Sequence, residues 1–110
     1  MPANIVTGDT TSIAVTLYKG TSTFAIGGTA VVKAMLVSYD HTASYTTAIT
    51  QSSSTPGANW NASLVVVVIP GSETQDIVYQ GKALLEIQVT ESGINKTWFS
   101  EVNIQTGRIA

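Results

Sequence analysis

The chain has 110 residues, a formal net charge of −2, 44% apolar residues, 11% charged residues and no cysteine. That length suits one domain, expected over residues 1–110, and the apolar content suffices for a core, which argues against disorder. Its five cations, Lys19, Lys33, Lys82, Lys96 and Arg108, are scattered singly, which excludes a basic stripe for nucleic acid, and the missing cysteines exclude disulfides and thiolate zinc sites.

Period-two alternation dominates the chain. Ile13, Val15 and Leu17 alternate with Ser12, Ala14 and Thr16, which predicts a half-buried strand over 11–18. Lys19 to Thr23 supply a turn, Phe24-Ala25-Ile26 a short strand, and Gly27-Gly28 a stop that tolerates positive φ. Residues 30–38 carry Val32, Ala34 and Leu36 on one face and Val31, Lys33, Met35 and Val37 on the other, which predicts a central strand with its second face partly covered. Residues 39–44 are polar and loop-like, and the β-branched run 45–50 suits an exposed strand.

A Ser-rich loop over 51–57 ends at Pro56-Gly57, and 60–69 is the strongest strand signal in the chain. There Trp60, Ala62, Leu64, Val66 and Val68 share one face, and Val65, Val67 and Ile69 share the other. Leu64 and Val66 are expected in the core. Pro70-Gly71 stops this strand, and Ser72 could cap a single helical turn. Residues 82–90 place Ala83, Leu85, Ile87 and Val89 inward. A loop at 91–95 then makes a hairpin with 96–105, where Trp98, Val102 and Ile104 lie on one side. About seven short strands with regular turns predict an all-β chain, a two-sheet antiparallel β-sandwich.

Few residues offer chemistry. His41 is the sole histidine, with Asp40 its only close acid in sequence, so it reads as a solvated loop residue whose replacement costs almost nothing. No G-x-S-x-G elbow places a serine beside it. Glu73 and Asp76 in a turn, Glu86 and Glu91 on a hairpin, and Asp9 and Asp40 in loops read as surface acids. No phosphate-binding glycine pattern occurs. Trp60 and Trp98 could stack on sugars, but apolar neighbours at two-residue spacing favour a core role for both. The sequons Asn61-Ala62-Ser63 and Asn95-Lys96-Thr97 are common coincidences in such a composition. Residues 1–4 resemble no secretion signal, and the apolar run 64–69 is too short to span a bilayer as a helix, so no membrane partner is expected. No catalytic residue, metal site or cofactor is expected.

Several segments together resemble the small Ig-like β-sandwich domains of tailed-bacteriophage virions, found in baseplate upper proteins, fibre amino ends and capsid decoration subunits. The opening Gly8-Asp9-Thr10-Thr11-Ser12-Ile13 resembles their first turn and strand. Gly28 to Ala34 is similar to their second core strand, and residues 63–77 with Gly81 to Val89 resemble their late strand, crossover and penultimate strand. Gly93 to Trp98 with Val102-Asn103-Ile104 resembles the last strand. Fibre proteins continue into a shaft and tip, whereas this sequence stops at Ala110. The resemblance therefore implies a free-standing attachment or cement subunit. It would be made in the host cytoplasm and housed in the virion, as a homo-oligomer against major capsid, tail, baseplate or fibre proteins. The rival reading is a carbohydrate-binding module that recognises host glycans; an enzyme is a distant third.

Overall fold

The computed structural model describes residues 3–27, 30–51 and 63–106. Within them lie nine strands and one helical turn: β1 (Ala3–Val6), β2 (Thr11–Thr16), β3 (Tyr18–Lys19), β4 (Ser22–Thr23), β5 (Val31–Ser38), β6 (Ile49–Gln51), β7 (Leu64–Ile69), α1 (Gly71–Thr74), β8 (Gly81–Glu91) and β9 (Ile94–Gln105). The chain is all-β, as its alternation predicts. Trp60, Asn61 and Gly28, and most of the 51–57 loop, lie outside the described residues.

Five strands form one curled sheet in the order β1-β9-β8-β5-β6, β2 pairs with β7, and β3 with β4. β5 is central, between β6 and β8. The large sheet is mixed, not antiparallel throughout, because β1 runs parallel to β9 with Ile5 opposite Ile104. Parallel partners need a long crossover, and here the intervening domain supplies it. The β8–β9 hairpin closes through Ser92 and Gly93, with φ of 53° and 77°. Two consecutive positive φ values give the primed turn whose twist matches the flanking strands.

Ile13, Leu17, Val65, Val67 and Ile69 meet Val32, Leu36, Leu85, Ile87, Val102 and Ile104 in one core, which also holds Ile5 and Ile26. The inward faces of β2, β5 and β8 follow the alternation in their sequences. β7 does not expose that choice in its own residues, since both of its faces are apolar. Its partner decides: Ile13 sits opposite Val67 and Val15 opposite Val65, so Val65, Val67 and Ile69 turn inward at 0% exposure. Leu64 and Val68 are left 42% and 41% exposed. The expectation that Leu64 and Val66 belong to the core is therefore corrected: a one-residue change of phase moves a whole strand face.

Three local expectations also change. Phe24 to Ile26 form no strand; Ser22–Thr23 pair instead, while the Phe24 amide donates to Leu17 at 2.8 Å and Ile26 is buried. Over 45–50 only Ile49–Gln51 is strand. The Thr46 hydroxyl accepts from the Leu36 amide at 3.0 Å, taking the place of a backbone carbonyl and interrupting the ladder. Helix α1 forms, but Pro70 rather than Ser72 is its N-cap, with no side-chain capping bond. Its anchor is Thr74, fully buried, whose hydroxyl accepts from the Gly8 amide at 3.0 Å, while Thr10 accepts from the Gly71 amide at 3.1 Å. These contacts tie the β1–β2 turn to the β7–β8 corner.

Candidate docking surface

The outward face of the β2–β7 ladder pairs Ser12 with Val68, Ala14 with Val66 and Thr16 with Leu64. It is uncharged throughout, and Leu64 and Val68 are its large exposed side chains. This strip exists because β7 is apolar on both faces while only one can enter the core.

The far edge of β7 is closed by a side chain. Gln51 lies at the end of β6, buried at 7% exposure, and its Oε1 accepts from the Val68 amide at 2.8 Å. Its Nε2 donates to Ile49 O at 3.1 Å and reaches Val68 O at 3.4 Å. One side-chain amide thus substitutes for a neighbouring strand and links the two sheets. Sequence reading placed Gln51 in a polar loop; the only available signal was its position directly after the β-branched pair Ile49-Thr50.

On the outer face of the large sheet, the 38–45 loop folds over β5 and β8. Ser38 Oγ accepts from the Thr42 and Ala43 amides at 2.9 and 3.0 Å, and donates to Asp40 Oδ1 at 2.7 Å. The Thr42 hydroxyl also donates to Asp40 Oδ1 at 2.7 Å, the largest of several hydrogen bonds that hold the Asp40 carboxyl below its ordinary range. His41 takes a positive φ of 60° at the tip. Its Nε2 lies 2.7 Å from Glu86 Oε1, and its ring meets the edge of Phe99 with centroids 4.9 Å apart. His41 is therefore docked on β8 and β9, not merely solvated; Glu86, 45 positions away, was invisible as a partner in the sequence.

The other candidates are placed separately. Trp98 packs half-buried against the core, tilted on Phe24 at 4.9 Å, and its Nε1 donates to Tyr18 O at 2.9 Å. Glu73 accepts from the Thr47 hydroxyl at 2.8 Å, and Glu101 lies 3.7 Å from Lys82. Tyr45 stacks on Tyr79 at 5.3 Å beside a shallow groove of about 250 Å³ that includes Asp76, Ile77 and Val78. Among the described residues, no three of His, Asp and Glu converge as a metal-binding group. No family model, no curated protein and no solved structure matches the chain.

Proposed function

We propose that this chain is a non-enzymatic structural subunit of a bacteriophage virion, seated on the capsid or the tail by burying uncharged surface against its neighbours. The observation that carries the reading is the outward face of β2 and β7, where Leu64, Val66, Val68 and Ala14 lie together with no charged side chain among them. Charged groups are costly to strip of water at an interface core, and this face carries none. The strand order supports an Ig-like two-sheet sandwich, with β1-β9-β8-β5-β6 as one layer, β2–β7 as the other and a helical turn between β7 and β8. Its partners would be the major capsid, tail, baseplate or fibre proteins. Mass spectrometry of intact particles tests this: a fixed presence supports the reading, with high copy number assigning it to the shell and low copy number to the tail. Absence from purified particles overturns it.

A carbohydrate-binding reading has one observation in its favour, the stacked Tyr45 and Tyr79 beside Asp76. Aromatic faces next to a carboxylate suit a sugar ring and its hydroxyls. Binding on a glycan array that Tyr79→Ala removes would establish it.

A further inference from the structure

The outer edge of β2, unpaired among the described residues, has the features of a self-complementary pairing surface. The antiparallel register with β7 continues at one end as the Leu17 amide donating to Ser63 O at 2.9 Å. Hydrogen-bonded pairs alternate along such a ladder, so Thr11, Ile13 and Val15 direct their amides and carbonyls to β7. Those of Ser12, Ala14 and Thr16 point the other way, and no described strand pairs with them. Natural edges are guarded by lysine, proline, a bulge or a covering loop. The β2 sequence Thr-Ser-Ile-Ala-Val-Thr holds neither charge nor proline, and its six residues pair with β7 in unbroken register. The far edge of β7, by contrast, is stopped by Gln51.

We infer that β2 pairs antiparallel with β2 of a second copy of this chain, about a twofold axis at Ala14. Only this register engages all three outward positions: Ala14 faces Ala14, and Ser12 faces Thr16 of the second copy at both ends. Every cross-strand contact on the outward face is then between small, uncharged side chains, and the inward face sets Ile13 against Val15. Charge selects the same arrangement. Asp9 precedes the strand by two residues and Lys19 follows it by three; both are exposed, and neither has an ion-pair partner among the described residues. The twofold brings Asp9 of each copy toward Lys19 of the other. A parallel pairing would bring like charges together instead. The product is a four-stranded sheet, β7-β2-β2-β7, which merges two uncharged outward faces into one. This inference rests on the reading of the chain as an assembly subunit and names one of its partners.

Sedimentation of the whole chain across a concentration series tests it. The wild type is expected to dimerise with a dissociation constant that rises with salt. Ala14→Pro removes an amide that β7 does not use, and Ala14→Lys places two ammonium groups face to face; each is expected to abolish the dimer while thermal melting shows a folded monomer. Asp9→Lys is expected to weaken the dimer, and adding Lys19→Asp to restore it, without touching the ladder. A wild type that stays monomeric at the highest concentration it tolerates overturns the inference. A dimer indifferent to both Ala14 variants and to the charge swap overturns it too. A monomer that still occupies particles fails this inference alone; a twofold dimer absent from particles fails the docking reading alone.

Discussion

Replacing Gln51 with alanine isolates what one side chain contributes when it stands in for a strand. The Val68 amide loses its acceptor at 2.8 Å, and Ile49 O and Val68 O lose a shared donor. Leaving a buried donor unsatisfied costs about 1–3 kcal/mol, and the Val68 amide is partly buried. The carbonyls contribute less, since the bond to Val68 O is long at 3.4 Å and the strip beside it is open to water. A net loss of about 2 kcal/mol follows, which for a domain near this size lowers Tm by about 10 °C. Gln51→Glu separates the two halves of the amide. Its carboxylate still accepts from Val68, but faces two carbonyl oxygens where an N–H stood, so the ionised form is disfavoured in the fold. The folded pKa of that Glu is therefore raised, and its stability is greatest below the unfolded carboxyl range and falls as pH rises through it. Urea and thermal denaturation of the three proteins, at acidic and neutral pH, measure this. An alanine variant as stable as the wild type would refute the argument that this amide closes the β7 edge.

The remaining expectations concern packing and local electrostatics. Leu85→Ala, at 0% exposure, should cost about 2–5 kcal/mol, whereas Leu64→Ala should cost under about 1 kcal/mol; equilibrium denaturation of the pair checks the phase of β7. Gly71→Ala should destabilise by about 1–3 kcal/mol, because its Cβ would collide with the Gly8 carbonyl oxygen, a backbone atom in the turn whose Gly8 amide donates to Thr74; loss of protection at the Gly8 amide in hydrogen exchange reports it. The 38–43 turn should loosen with acid. Hydrogen bonds favour ionised Asp40, so their contribution is complete above the ordinary carboxyl range and disappears as pH falls through the lowered value. The amide shift of Thr42 in an NMR titration follows this directly.

The parts of the fold that a sequence exposes are those where neighbouring residues differ in polarity. β2 and β8 largely alternate apolar with polar or small residues, and β5 carries Lys33 on its outward face, so their inward faces are readable without any partner. β7 offers two apolar faces, so its orientation is fixed by β2 across the ladder and is a property of the pair. β1 is four residues long, and its partner β9 lies at the far end of the described chain, beyond any local pattern. The side chains that join elements fare worst. Gln51, Thr74 and Glu86 act on groups 17 to 66 positions away, and nothing near them in sequence distinguishes them from surface residues.

The same logic bears on the surface. A single polar residue on the outward face of β7 would have marked that face as solvent-facing, and a lysine in β2 would have guarded its edge at almost no cost to the core. Neither is present, although Ser12, Ala14 and Thr16 are open positions where charge fits without strain. For a chain that stays alone, the unguarded edge and the apolar strip are liabilities that invite uncontrolled association. For a chain whose edge pairs with its own copy and whose strip meets a larger neighbour, they are the surfaces in use, and charge placed on them would be the defect. The scarcity of charge that leaves this sequence silent about chemistry is what the proposed assembly would require of it.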